Sequence, residues 1–130
     1  MINKEELYKA AQAAAGFSYS PYSRFRVGAA VLTGDGEIFT GCNVENSSFP
    51  VGICAERAAI SKAVSEGKTR FTAIAIAAES GGRQRSASPC GMCRQFIMEF
   101  GSDIEVIFLS SKGKLVSEKI SSLLPWGFEL

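Results

Sequence analysis

The chain has 130 residues, of which 46% are hydrophobic, and this is enough for one compact domain with its own core. Its 14 Lys and Arg residues against 13 Asp and Glu residues leave a formal net charge of +1, which argues against binding a nucleic acid backbone or an anionic membrane. The absence of histidine excludes Ser-His-Asp and Cys-His catalysis within one chain. Acid–base chemistry must therefore come from carboxylates, lysines or a metal-bound water.

The first predicted element is an amphipathic helix. Asn3 and Glu6 fit an N-cap with its capping-box partner, and Gly16 marks the end of the helix. An apolar stripe at helical spacing lies between these signals and consists of Leu7, Ala10, Ala11 and Ala14. Glu5 and Glu6 stand where a secretory signal carries basic residues, and the longest uncharged stretch, residues 10–23, is too short to span a bilayer. We therefore expect neither export nor a membrane anchor.

A β-hairpin is predicted next. Residues 27–33 form the pattern of a buried strand, and the Gly-Asp-Gly sequence at 34–36 is a turn signal. Residues 37–45 are the predicted returning strand.

The rest of the chain alternates predicted helices and strands. Helices are predicted over residues 54–66, 90–100 and 120–124, and buried strands over residues 71–78 and 104–109. Residues 79–88 contain two glycines, three serines and two arginines and are expected to form a mobile loop, while residues 112–114 are a predicted turn. A hairpin followed by this alternation predicts an α/β fold with a mixed sheet between helical layers.

Two cysteine motifs each stand at the start of a predicted helix: Cys-Ala-Glu at 54–56 and Pro-Cys-Gly-Met-Cys at 89–93. Cys90 and Cys93 are three residues apart, so both sulfur atoms can reach one metal ion at the beginning of a helix. With Cys54 they would provide three protein ligands and leave a fourth tetrahedral position for water, which is the pattern of catalytic rather than structural zinc. Four cysteines without a signal peptide also favour a reducing compartment over disulfides.

The charged residues beside these cysteines have predicted roles in the same site. Glu56 follows Cys54 by two residues, so its carboxylate can face the metal-bound water and move its proton. Three thiolates exceed the charge of Zn²⁺ by one negative unit, which the N-termini of the two helices would oppose. Arg57 and Arg94 follow Glu56 and Cys93, and each is predicted to donate hydrogen bonds to sulfur.

Simpler interpretations exist for each of these residues. Cys42 could close the metal site as a fourth ligand, which would make the site structural. Glu56 could be an ordinary first-turn carboxylate, and Arg57 and Arg94 ordinary surface charges of their helices. Two solvated strand-end residues are the simpler interpretation of Asn43 and Glu45. Likewise, Phe25 and Phe128 could be core aromatics.

The sequence resembles the small, homotetrameric cytidine deaminases over nearly its whole length. The stretches that carry the resemblance are Pro-Tyr-Ser at 21–23, Phe-Arg-Val-Gly-Ala-Ala at 25–30, Gly-Cys-Asn-Val-Glu-Asn at 41–46, Cys-Ala-Glu-Arg at 54–57, Ser-Pro-Cys-Gly-Met-Cys-Arg-Gln at 88–95, and Leu-Leu-Pro at 123–125 with Phe128. The resemblance implies one domain over residues 1–130 with a three-layer α/β/α fold around a mixed sheet of about five strands.

The resemblance also implies a role for each site residue. Cys54, Cys90 and Cys93 would hold Zn²⁺, and Glu56 would be the catalytic acid–base. The residues implied to contact the nucleoside are Phe25, Asn43, Glu45, Ala55 and Phe128. Asn43 and Glu45 would bind the ribose hydroxyls, and because they are two residues apart on a predicted strand, they should face the same way. Phe128 would reach the site of a neighbouring subunit and stack on the base.

The implied activity is zinc-dependent deamination of cytidine and 2′-deoxycytidine in pyrimidine salvage, by a cytoplasmic homotetramer with sites shared between subunits and no nucleic acid or membrane partner. Three alternatives stay open: a blasticidin-S deaminase, a deaminase of polymeric RNA or DNA, and a non-enzymatic zinc-stabilised module. The chain departs from the family pattern in the Ser-Ser-Phe at 47–49, where many relatives have Ala-Ser/Cys-Tyr, and in residues 79–88.

Overall fold

A mixed β-sheet organises the chain in the computed structural model, which describes residues 3–130. The helices are α1 (Lys4–Ala15), α2 (Ala55–Ser65), α3 (Gly91–Met98) and α4 (Ile120–Leu123), with a 3₁₀ turn at Phe49–Val51. The strands are β1 (Arg26–Thr33), β2 (Ile38–Cys42), β3 (Phe71–Ser80), β4 (Arg83–Arg85), β5 (Glu105–Leu109) and β6 (Leu115–Lys119). Their order is β2-β1-β3-β5-β6, with β4 paired to β3. The β3–β5 pair is parallel and the other pairs are antiparallel.

Helices cover both faces of this sheet. Successive residues of a strand point to opposite faces, so one strand contributes side chains to two apolar clusters. On one face, Ala75 and Ala77 of β3 belong to the apolar cluster that contains Leu7 and Ala11 of α1. On the other face, Ile74 and Ile76 belong to the cluster built from the remaining three helices, with members such as Ile60, Ile97 and Ile120. The predicted α/β/α layers and mixed sheet are confirmed, with six strands in place of about five.

Local signals explain the first helix and its packing. The Asn3 side chain accepts a hydrogen bond from the Glu6 amide at 2.9 Å, as the predicted N-cap requires. The predicted stripe is also confirmed, since Leu7, Ala11 and Ala14 are buried and Ala10 is half-buried. Among the helices of residues 3–130, none combines the length and the apolar character that a bilayer crossing needs.

The expectation of a mobile loop over residues 79–88 is wrong for most of that segment. Strand β3 continues to Ser80, and β4 returns beside it, so that Ala78 pairs with Arg85. Gly81 and Gly82 connect the two strands with φ angles of 62° and 75°, a left-handed pair that matches the twist of a tight hairpin.

Two further boundaries differ from the sequence prediction. The returning strand was predicted over residues 37–45, but β2 ends at Cys42. Beyond this residue the regular pairing with β1 stops: the Asn43 side chain donates to the Phe25 carbonyl, and Val44 forms isolated bridges with Tyr19 and Ile53. Strand β6 was not predicted, and its pairing with β5 follows a turn at Gly113, whose φ is +79°.

The helices approach the sheet closely where the strands carry glycine. A Cβ at Gly28 of β1 would lie 2.0 Å from the Ala11 carbonyl oxygen of α1. A Cβ at Gly41 of β2 would lie 2.5 Å from the Ala59 nitrogen of α2. The backbones of both helices therefore rest directly on the sheet. Gly41 sets the distance between the sheet and α2, the helix that begins after Cys54.

We expect Gly41→Ala to lower the free energy of unfolding by about 2–3 kcal/mol, because backbone atoms of α2 must move to admit the methyl group. Gly34→Ala is the matched control, since its added Cβ would meet nothing nearer than 3.8 Å, and we expect a change below about 1 kcal/mol. Equilibrium denaturation with urea measures both values. Equal stability of the two variants would contradict the close approach of α2.

Candidate active site

The N-termini of α2 and α3 bring three thiols together. Cys54 is the N-cap residue of α2, Cys90 is the N-cap residue of α3, and Cys93 lies in the first turn of α3. Their Sγ atoms all lie within 4.8 Å of one another. Tetrahedral zinc with Zn–S bonds of about 2.3 Å needs sulfur atoms about 3.8 Å apart, so this group fits one zinc ion.

Cys42 does not complete a four-sulfur site. It lies on β2 opposite Gly28 and is absent from the group of potential ligands that the described residues form. All four cysteines are free thiols. The group therefore supplies three ligands, and a tetrahedral ion held by them keeps one position for another molecule, as catalytic zinc sites do.

The electrostatic surroundings favour the thiolate of Cys54, while the hydrogen bond between Cys54 and Cys93 and burial both raise the pKa of Cys93. A hydrogen bond from Cys93 is the largest cause that lowers the pKa of Cys54, which falls to about 5, and Arg57 adds to the effect. The Arg57 guanidinium donates from Nη2 to Cys54 Sγ at 3.9 Å. Its Nε is buried and has no hydrogen-bond partner among residues 3–130. A half-buried guanidinium with an unpaired Nε beside sulfur suits a cluster whose three thiolates would exceed the charge of a divalent ion by one negative unit.

Arg94 does not contact sulfur, contrary to the sequence prediction. Its Nε donates to the Pro89 carbonyl at 2.7 Å, and its Nη1 donates to the Leu123 carbonyl at 2.7 Å. The side chain starts from the first turn of α3 and is directed towards α4, so the guanidinium braces the segment before Cys90 against the end of that helix.

Glu56 is the buried carboxylate of the site. It is the second residue of α2, and only 5% of its surface is exposed. Burial raises the pKa of this carboxyl to about 7, and the negative charge of Cys54 adds to the rise. A carboxyl whose pKa lies near neutrality can both accept and release a proton.

A cavity of about 970 Å³ opens over these residues. Its lining includes the ligands Cys54 and Cys90 together with Glu56 and Arg57. The lining also includes four of the five residues expected to contact substrate, namely Phe25, Asn43, Glu45 and Ala55. Phe128, the fifth, is not part of this lining and is 68% exposed. A volume of this size is at the upper end of the range for small-molecule sites.

The Asn43 amide is used largely by its own chain. Its Oδ1 accepts from the Ser18 hydroxyl and from the Val27 amide at 2.9 Å, and its Nδ2 donates to the Phe25 carbonyl at 2.9 Å. An amide side chain has two acceptor sites and two donors. Asn43 therefore keeps one N–H for a bound molecule.

The Glu45 carboxylate also has most of its hydrogen bonds satisfied by its own chain, here as an acceptor only. The amides of Tyr22 and Ser23 donate to its Oε1 at 2.9 and 3.1 Å, and the Ser23 hydroxyl donates to Oε2. That hydroxyl is the main reason why the pKa of Glu45 lies below its usual value. A carboxylate accepts about four hydrogen bonds, so roughly one remains available.

Sequence reasoning missed two contributions to this site. Ser23 belongs to a stretch that carried the family resemblance, but only the folded chain places its hydroxyl on Glu45. Residues 86–88 line the cavity although they fall in the segment expected to be a mobile loop. The Pro-Tyr-Ser motif was an available signal for Ser23, whereas residues 86–88 carry no signal of their own.

These features are those of a zinc-dependent hydrolase: three thiols that leave one coordination position of the metal open, and a buried carboxylate beside them, at the N-termini of two helices of an α/β/α fold. The chain belongs to the cytidine and deoxycytidylate deaminase family. The family described as "Cytidine and deoxycytidylate deaminase zinc-binding region" matches residues 1–110. Together with the thiol cluster, this match identifies Zn²⁺ as the cofactor.

Individual relatives agree with the family match. A "probable cytidine deaminase" from Dictyostelium discoideum is 48% identical over 127 residues, covering 95% of this chain and 84% of the relative. The crystal structure of cytidine deaminase from Burkholderia pseudomallei superposes with a TM-score of 0.88 at 41% identity, covering 98% of this chain and all of that one. A blasticidin-S deaminase from Bacillus cereus is 38% identical over 108 residues, covering 79% of this chain and 76% of that relative.

We expect Cys90→Ser to lose zinc and Cys42→Ser to retain it at one ion per chain, because only the first removes a sulfur atom from the cluster. Zinc content after dialysis, measured by atomic emission, tests both variants at equal protein concentration. Loss of zinc from Cys42→Ser with an intact fold would restore the closed structural site.

Proposed function

We propose that this protein catalyses the hydrolytic deamination of cytidine and 2′-deoxycytidine to uridine and 2′-deoxyuridine, with release of ammonia. The observation that carries the proposal is one cavity lined by Glu56 and by Cys54 and Cys90 of the three-thiol group. The family and the named relatives support the same activity.

In this proposal Cys54, Cys90 and Cys93 hold the metal. When bound, Zn²⁺ acidifies a water molecule and so supplies the nucleophile. Glu56 accepts the proton of that nucleophile and passes it to N3 of the base as C4 is attacked. The same carboxylate then takes the remaining hydroxyl proton and delivers it to the exocyclic amine, which departs as ammonia. A pKa near 7 suits Glu56 to both transfers.

Substrate recognition is assigned to the polar residues above the metal site. Asn43 has one free donor and Glu45 about one free acceptor, so together they match a single hydroxyl group, which accepts from the first and donates to the second. The ring of Phe25 packs on the nucleoside, and the backbone of Ala55 contacts the base. A pair that needs one sugar hydroxyl accepts both ribose and deoxyribose.

Two alternative substrates are less favoured. Blasticidin S shares the chemistry, but the Asn43–Glu45 pair is suited to an ordinary sugar hydroxyl. Polymeric RNA or DNA is disfavoured by the net charge of +1, which offers no attraction for a phosphate backbone. Comparison of kcat/KM for cytidine, 2′-deoxycytidine and blasticidin S, with uridine and ammonia quantified, decides among small substrates. A higher value for blasticidin S than for cytidine would reverse the assignment.

We expect Glu56→Ala to lower kcat by at least about 10²-fold while zinc content and fold persist, because the proton carrier is lost. Glu66→Gln is the matched control, since this exposed residue caps the opposite end of the same helix, and it should leave kcat unchanged. Steady-state kinetics with zinc quantified in each sample measures the effect. Near-normal turnover by Glu56→Ala would refute the role.

The assembly proposal is a cytoplasmic homotetramer in which each chain of residues 1–130 acts as one domain and contributes Phe128 to a neighbour's site. Several large apolar side chains support association, because Phe17, Phe49, Trp126 and Phe128 are each at least 68% exposed. Two apolar clusters on the faces of one sheet support a single domain. The free thiols fit a reducing compartment.

We expect co-expression of Glu56→Ala and Phe128→Ala chains to yield more activity than the sum of the two variants purified alone. A shared site can combine Glu56 of one chain with Phe128 of another, which random mixing achieves at about one site in four. Two affinity tags isolate the mixed oligomers for assay. Purely additive activity, or a fully active monomer at assay concentration, would contradict shared sites.

A further inference from the structure

The side chain of Gln95 makes two hydrogen bonds to the backbone of one residue far along the chain. Its Nε2 donates to the Phe128 carbonyl at 3.0 Å, and the Phe128 amide donates to its Oε1 at 3.1 Å. The half-buried Gln95 amide thus satisfies both the carbonyl and the N–H of Phe128, as a neighbouring strand would do in a sheet. Gln95 stands two residues after Cys93 on α3, so the contact joins the metal-binding helix to residues 124–130, here called the arm.

Other contacts bring the arm onto the same helix. A Cβ added at Gly127 would lie 3.3 Å from Met98 Cγ, so this part of the arm lies against α3. Arg94 donates to the carbonyl of Leu123, the residue directly before the arm, at 2.7 Å. Between these points Trp126 has a φ of +58°, a left-handed conformation that bulky residues adopt only where their surroundings impose it.

The arm nevertheless has little apolar anchoring of its own. Trp126 and Leu130 are fully exposed, and the Phe128 ring is 68% exposed. An irregular segment with so little burial would otherwise move freely. Its defined path therefore depends on polar contacts from α3, of which the paired bonds of Gln95 act directly on Phe128.

We propose that Gln95 is a positioning residue that fixes the backbone of Phe128 on α3, so that the aromatic ring projects from a rigid support for substrate binding. The kinetic part of this inference rests on the proposed function, in which Phe128 closes a neighbour's site. A fixed ring gives up less conformational freedom when substrate binds than a ring on a free tail does. Gln95 therefore acts on substrate affinity and leaves the chemical step alone.

The test is Gln95→Met, which keeps the length and shape of the side chain and removes both hydrogen bonds. We expect amide exchange at Phe128 to accelerate by about tenfold, because the acceptor of its N–H is lost. KM for cytidine should rise by about threefold to tenfold, with kcat and zinc content within about twofold of the parent. Gln95→Glu keeps an acceptor for the Phe128 amide and should fall between the two proteins. Gln12→Met on α1 is the matched control and should change neither readout.

Nuclear magnetic resonance on ¹⁵N-labelled holoprotein gives the exchange rate, and steady-state kinetics gives KM and kcat. In a Phe128→Ala background, Gln95→Met should raise KM no further, because the residue it positions is gone. Unchanged exchange in Gln95→Met would overturn the clamp. Faster exchange with unchanged KM would overturn the positioning role if Phe128→Ala itself raises KM. If Phe128→Ala leaves KM unchanged, the proposed role of Phe128 fails together with the kinetic consequence, and the exchange rate by itself then supports or overturns the clamp.

Discussion

The structure depends on gathering three thiolates at one point, where they carry more negative charge than a divalent ion cancels. Like charges in a partly buried cleft are costly unless fixed positive potential faces them. Here the N-termini of α2 and α3 converge on the sulfur atoms, and the Arg57 guanidinium lies 3.9 Å from Cys54 Sγ. Glu56 lies in the same environment, where burial raises its pKa and a backbone hydrogen bond at its own amide opposes the rise. Metal binding and proton transfer are therefore two results of one arrangement of helix ends.

That arrangement is possible because α1 and α2 rest on the sheet with their backbones close to Gly28 and Gly41. Gly41 leaves room for the backbone of α2 at Ala59, and Gly28 does the same for α1 at Ala11. Alanines fill much of the space between, so that Ala29, Ala55, Ala59 and Ala63 are fully buried. Close contact between backbones limits sliding and tilting of a helix, since interiors are packed densely and do not deform continuously. The position of the first turn of α2, where Cys54 and Glu56 lie, is thereby set by the sheet.

Most hydrogen-bonding groups of the polar side chains around the cavity are already satisfied by other residues of the chain. Asn43 and Glu45 keep about one donor and one acceptor between them after binding Ser18, Val27, Phe25 and the loop at Tyr22 and Ser23. Groups held in this way are pre-organised, so a ligand that fits them loses little energy in ordering the site. Gln95 applies the same principle to the arm, because both ends of its amide are used on Phe128.

Local patterns in the sequence were enough for the helix N-cap at Asn3, for the four helices and the strands β1, β2, β3 and β5, and for the pairs Cys54 with Glu56 and Cys90 with Cys93, because caps, periodicity and ligand spacing act over a few residues. The two pairs are far apart in the sequence, and the resemblance to a family placed them in one site. Local patterns do not indicate the hairpin at Gly81-Gly82 or strand β6, since their pairing partners lie on β3 and β5 and short polar strands carry weak periodicity. The direction of Arg94 towards Leu123, the hold of Ser23 on Glu45 and the clamp of Gln95 on Phe128 were decided only by tertiary structure. Each of these contacts joins residues between 22 and 33 positions apart, and no local rule links residues at such separations.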